Sequence, residues 1–218
     1  DSEQRAYFDE HRPSGFVEAK RGLNESLWRR LQHPDEDRYV SAMFAAIWEG
    51  VASVGARPLK AFQLKRKERA KPDTDDRKVV KILSHLSQAL AVPRPDLFVQ
   101  PSEPGQLMLA NVLYKRKLAP ALVVRRDLVE REERDVVFRA AQTLALLRPE
   151  RYLKLALTTR AELKAAMLSA MVLARPQTPV PAELASHVET YVREIESHMR
   201  RVVTGGCPCC GKQNLVKH

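Results

Sequence analysis

The sequence predicts a mostly helical α+β fold: a helical N-terminal pair, a small three-stranded sheet and a layer of helices after it. Three observations predict it. Apolar residues recur at three- and four-residue spacing over most of the chain. One stretch, between Val92 and Val129, breaks that rhythm with three short apolar runs separated by Pro- and Gly-bearing turns. Finally, 218 residues with 44% hydrophobic and 29% charged side chains are enough for a sizeable buried core, and the balance excludes disordered and collagenous classes.

In chain order, Phe16, Leu23, Leu27, Trp28 and Leu31 suggest a short first helix. It is expected to pack antiparallel on a longer one, in which Val40, Met43, Phe44, Ile47, Trp48 and Val51 form one stripe. His33-Pro34-Asp35 supplies a start signal for the second helix and Gly55 a stop. Both Trp residues fall at core positions. Pro72 and the acidic run Asp73 to Asp76 break the chain and can cap a further helix through Val79, Ile82, Leu83, Leu86 and Leu90.

Strands are expected at 97–99, 106–110 and 121–124. Four helical patterns follow. The first, 132–147, opens on acidic residues suited to the positive end of a helix dipole and stops before Pro149. A short one covers 150–157, and Thr159 with Glu162 forms a capping box for the next, through Ala174. The last runs for about six turns along Leu184, Val188, Tyr191, Ile195, Met199 and Val202. The expected organisation is an N-terminal helical segment (1–56), a basic strap or linker (57–75), a main domain (76–203) and a Cys-containing tail (204–218).

Lys and Arg number 37 against 27 Asp and Glu, a net charge of +10. That bias suits an acidic partner without selecting among protein, nucleic acid and anionic lipid. It is also local, because between Arg57 and Lys71 seven cations face one anion, Glu68, so this segment carries +6 of the total. Lys60, Lys65, Arg66, Lys67, Arg69 and Lys71 are therefore the candidate partner-binding residues. Nucleic acid would be held through phosphate neutralisation, but the bases would need aromatic platforms and only Phe62 is interleaved. Glu68 and the acidic run are placed to fold back on the strap.

The three cysteines all lie between residues 207 and 210, the wrong count and distribution for a secreted disulfide scaffold, so a reducing, cytoplasmic setting is expected. The N-terminus has no apolar leader core, no apolar run approaches the ~20 residues of a membrane span, and the missing initiator Met suggests a piece of a longer chain. Cys207-Pro208-Cys209-Cys210-Gly211-Lys212 has the C-P-x-C-G-K form of a zinc-ribbon knuckle, with Cys207 and Cys210 as thiolate ligands to one zinc ion. A ribbon needs a second pair, and only His218, with Cys209 as a spare thiol, lies nearby. A redox-active C-x-x-C or a tail hinged at Gly205-Gly206 remain open readings.

The order helix, strands, helix leads into "ALVVRRDLVEREERDVVFRAAQTLALLRPE", and there the chain resembles the HtpX-type zinc peptidases of the gluzincin class. In that class the helix bears H-E-x-x-H, two His on one face for zinc and a Glu as general base. Gln142, Thr143, Leu144, Ala145 and Leu146 fall on those five positions, so both ligands and the base are missing. More widely, 39–203 resembles a degenerate peptidase-like domain of large delta-proteobacterial tetratricopeptide-repeat proteins, carried by "RPLKAFQLKRKERAKPDTDDRKV", "LFVQPSEPGQLMLAN" and "RAAQTLALLRPERYL". The resemblance implies a zincin-like helical layer without metal and without catalysis. On periodicity alone, 136–147 is simply a buried amphipathic helix.

No other catalytic arrangement emerges. His187 and His198 lie 11 residues apart on the last helix, separated by about 16 Å of helical rise, too far to share a metal. His85 sits beside Leu86 on an amphipathic helix, and no G-x-x-x-x-G-K phosphate loop is present. The expected function is a non-catalytic scaffold module of a larger protein. Its strap binds an acidic protein partner or a neighbouring domain; the alternative is a nucleic-acid-associated module using the strap and a zinc knuckle.

Overall fold

The computed structural model describes residues 22–114 and 117–204. The fold is α+β and mostly helical, with eight α-helices among the described residues and one three-stranded sheet.

Helix α1 (Glu25–Leu31) begins at Asn24, whose side chain accepts the Leu27 amide at 2.9 Å, and α2 (Arg38–Val54) begins at Asp37, which accepts the amides of Tyr39 and Val40. The two N-terminal helices are present, but they do not share a buried face. Trp28 sinks into the sheet core, its indole N–H donating to the Leu90 carbonyl at 3.1 Å. Phe44, Ile47 and Val51 of α2 go instead into a separate helical core. A buried indole needs an acceptor, and the end of the next helix supplies it, which draws α1 away from α2.

Helix α3 (Lys78–Ala89) precedes strands β1 (Asp96–Gln100), β2 (Leu107–Tyr114) and β3 (Lys117–Arg125). The strand order is β1-β3-β2, with β1 parallel and β2 antiparallel to the central β3. Both strands of the hairpin run longer than their apolar patterns suggest, and β3 passes through Pro120. A proline normally argues against a central strand because it has no N–H to donate. Here Asn111, opposite Pro120, turns its carbonyl outward to the Arg57 amide at 3.0 Å, so the 111/120 pair is a non-hydrogen-bonded one. The proline nitrogen faces the β1 side, where β1 begins only opposite Ala121. No ladder bond is lost.

Alternation along the strands loads both faces. Leu97, Val99, Leu122 and Val124 form the first core with α3 and with α5 (Glu133–Ala145), which follows the short α4 (Arg126–Val129). Phe98, Ala110, Val112, Ala121 and Val123 face the opposite way and are covered by Leu64.

The remaining helices are α6 (Pro149–Ala156), with Pro149 at its first turn, α7 (Arg160–Ala174) and α8 (Ala185–Thr204). The Thr159/Glu162 capping box forms, with the Glu162 amide 3.2 Å from Thr159 Oγ1 and the Thr159 amide 2.9 Å from Glu162 Oε2. The Thr159 hydroxyl, donating to Glu162 Oε2 at 2.8 Å, and the amides of Thr159 and Thr158 outweigh partial burial and hold the Glu162 carboxyl below its ordinary value. Helices α2, α6, α7 and α8 enclose the second core around Leu153, Ala165, Ala166 and Ile195. Each large aliphatic side chain so buried contributes about 1.5–3 kcal/mol. Tyr152 links the two cores: its ring packs on Trp48 at 4.6 Å between centroids and its hydroxyl donates to Asn111 of β2.

Helix α2 shares its core with α6, α7 and α8, and residues 57–75 are attached to the sheet.

Candidate functional site

The basic segment is a built element that crosses the sheet, not a linker. Arg57 bridges the outer edge of β2 at Val112, its amide on the Asn111 carbonyl and its own carbonyl accepting the Leu113 amide at 2.8 Å. At its other end Arg69 bridges the outer edge of β1 at Phe98, and the Ala70 amide donates to the Leu97 carbonyl at 2.8 Å. Between these anchors the chain arches over the face that carries Phe98, Ala110 and Val123. Leu64 is driven down into that face, 5% exposed. Pairing at both edges satisfies backbone groups that a bare sheet edge would leave open.

Two single-turn 3₁₀ helices, Leu59–Phe62 and Arg66–Glu68, shape the arch. The first ends at Gln63 in the left-handed region, φ +57°, a conformation that a non-glycine residue adopts at a cost. It is held there by Gln100, the last residue of β1 and 8% exposed. The Gln100 amide nitrogen donates to the Gln63 carbonyl at 3.2 Å and to Glu68 Oε2 at 3.1 Å. Glu68 Oε2 also accepts the Lys65 amide at 3.0 Å. That backbone bond is the main reason the Glu68 carboxyl lies below its ordinary value, with smaller help from Gln100 and the nearby Lys65 and Lys67 charges.

The single carboxylate of the segment is thus occupied by the Lys65 amide and the Gln100 side chain, while the cations face water. Lys60, Lys65, Arg66, Lys67, Arg69 and Lys71 are all exposed. The acidic run does not fold back on them: Asp75 pairs with Arg77, Asp76 with Lys81 at 2.8 Å and Asp73 with Arg94 at 3.6 Å. Asp75 sits two residues before Arg77 and accepts both its amide and its guanidinium, so local geometry captures the carboxylate before the strap can. Arg69 is neutralised by Asp96 of β1. Among the described residues, no ion pair involves the other five strap cations.

The arch divides five of the six candidates between two hollows, and Lys67 lines neither. Arg66, Arg69 and Lys71 face a groove of about 890 Å³ beside the start of β1, and Arg94, Tyr114 and Ala119 join them there. Lys60 and Lys65 face a second hollow of about 440 Å³ at the end of β1, with Gln100 and Glu103. Arg94, Asp96, Gln100 and Tyr114 come from strands and turns more than twenty residues further along the chain. Sequence reasoning passed over them, and the only local signal was Arg94-Pro95-Asp96, a charged pair flanking a proline ahead of an apolar run.

The motif-bearing helix of the peptidase resemblance corresponds to α5. Gln142 is exposed, Leu144 is fully buried, and the helix ends at Ala145 with Leu146 as its C-cap. His187 packs against Tyr191 and His198 lies 3.4 Å from Glu49 of α2, so the two histidines do separate work. Among the described residues no group of three or more His, Cys, Asp or Glu side chains could hold a metal ion, and no helix is long and apolar enough to cross a membrane. Cys207, Cys209, Cys210 and His218 lie outside the described residues. Comparison with protein-family models, curated proteins and solved structures returns no match.

Proposed function

We propose that this chain is a non-catalytic interaction module, a degenerate zincin-like body acting as a scaffold within a larger tetratricopeptide-repeat protein, and that it holds an acidic protein partner on its basic strap. One observation carries the proposal. The strap's cations stand on a backbone pinned to both edges of the sheet, with the segment's own carboxylate hydrogen-bonded to the Lys65 amide and Gln100. An isolated surface ion pair contributes about 0–1 kcal/mol, so useful affinity requires an array, and an array on a flexible loop loses much of its gain to ordering. A strap already fixed in shape avoids that loss and also speeds encounter with a partner of opposite charge.

The reading is tested with fluorescein-labelled poly-glutamate, followed by anisotropy over a salt series. The wild-type chain is expected to bind with an affinity that falls as salt rises. Reversal of the strap by Lys65→Glu, Arg66→Glu and Lys67→Glu together is expected to abolish binding with an unchanged circular dichroism spectrum. Binding that survives the triple reversal overturns the proposal. A duplex DNA probe of equal charge that binds more tightly than poly-glutamate transfers the strap to the nucleic-acid reading.

A further inference from the structure

Resting on the strap as the partner-binding element, we infer that the partner enters the 890 Å³ groove beside β1 as a peptide segment in which carboxylates alternate with apolar side chains. The groove has room for such a segment, standing near the top of the about 300–1,000 Å³ range of ligand clefts. Its height comes from the sheet. Ala119 of β3, opposite Val112 of β2, lines the groove beside Leu97 and Phe98, and this short, half-buried side chain leaves the surface low next to the arch. Leu59, Val112, Pro72 and Pro95 line it as well, so the charged groups stand among apolar ones.

The charge pattern selects the ligand. Four cations line the groove, Arg66, Arg69, Lys71 and Arg94, but two carboxylates do as well, Asp73 and Asp96. Arg69 is paired with Asp96, and Arg94 lies 3.6 Å from Asp73. Arg66 and Lys71 are left to receive an incoming anion. A nucleic-acid backbone brings a charge at every residue and would lay phosphates against Asp73 and Asp96. It would also leave the apolar floor covered by nothing of its own kind. A peptide with spaced carboxylates meets Arg66 and Lys71 and places apolar side chains on the floor between them. Charge pairs then fix register while burial supplies affinity.

The probe is a dye-labelled nine-residue peptide alternating Glu and Leu, compared with its Gln-Leu counterpart and with oligo(dT) of equal charge, titrated onto the full chain. Expected results are binding of the Glu-Leu peptide, at least about tenfold weaker binding of the Gln-Leu peptide, and a loss of at least about tenfold on Arg66→Gln with Lys71→Gln, one decade corresponding to about 1.4 kcal/mol. Ala119→Leu, which raises the floor without touching charge, is expected to weaken the Glu-Leu peptide equally while leaving poly-glutamate binding unchanged. If Ala119→Leu leaves the peptide affinity intact, or if oligo(dT) binds more tightly than the peptide, the groove assignment is overturned. Should poly-glutamate binding still be abolished by the Lys65, Arg66 and Lys67 reversal in that event, the strap reading stands and only the groove falls.

Discussion

Helices α2 and α8 meet where α2 carries Gly50. A Cβ there would stand 2.7 Å from Ile195 Cα, 3.0 Å from Ile195 Cγ1 and 3.1 Å from the Ile195 nitrogen. Unstrained carbon–carbon contact lies near 3.5–4.0 Å, so Gly50→Ala requires the helices to part by about 1 Å. The obstacle is backbone in a residue only 1% exposed, and no flexible side-chain end can swing away. Overpacking of this kind costs about 1–3 kcal/mol, and replacement of the backbone-rich contact places the cost in the upper part of that range. The same substitution gains about 1 kcal/mol of helix propensity, leaving a net loss of about 1–2 kcal/mol. Gly55, one residue beyond the same helix, is the internal control. Its φ is −84°, which any residue adopts, and an added Cβ would meet only the Ala52 carbonyl, at 3.9 Å. Gly55→Ala is therefore expected to be neutral or stabilising by up to about 0.5–1 kcal/mol, mainly by restricting the unfolded chain. Urea unfolding of the two variants beside wild type measures both. A Gly50→Ala protein as stable as wild type would refute the close crossing of α2 and α8.

Two further predictions concern groups that hold the cores and the strap together. Because Glu68 titrates below its ordinary value of 4.5 in the folded chain, its contribution is complete above that value and fades as pH falls through the lower folded one. Amide exchange at Lys65, corrected for intrinsic rate, should accelerate over that acidic window, and Glu68→Gln should flatten the pH dependence. Tyr152→Phe removes the hydroxyl that joins α6 to Asn111 and is expected to cost about 1–2 kcal/mol in urea unfolding. Burial raises the phenols of Tyr152 and Tyr191 above their ordinary value, so absorbance titration should show tyrosines that ionise at higher pH in the folded chain than after unfolding.

The helices could be read from the sequence because their signals are local. Thr159 and Glu162 specify a start by reciprocal bonds three residues apart, and the stripe from Leu184 to Ile195 needs only a 3.6-residue period to mark its buried face. The same period continues through Met199 and Val202, yet these are 50% and 60% exposed, since periodicity records a face and says nothing about where its partner ends. Trp28 shows the same limit. Its core position was evident, but its choice of the sheet core over α2 depends on the Leu90 carbonyl, 62 residues away. Pro120 masked half a strand because a local rule, no proline in a central strand, is suspended by the outward turn of Asn111 toward Arg57.

The strap was recognisable by charge and opaque in structure for one reason. Its attachment uses Leu64, Ala70 and backbone bonds at Arg57 and Ala70, and two buried side chains among seven cations make no periodic pattern. The charge density that suggested a solvated linker is instead what such an attachment permits. Edge bonding fixes the main chain whatever the side chains are, so nearly every side chain remains free to be a cation. Gln100 then decides which charge the surface lacks. By bonding Glu68 and the Gln63 carbonyl at once, it ties the only carboxylate of the arch to the end of β1. Replacement of Gln100 should therefore disturb the strap's shape and its charge together, whereas replacement of any single lysine should change charge alone.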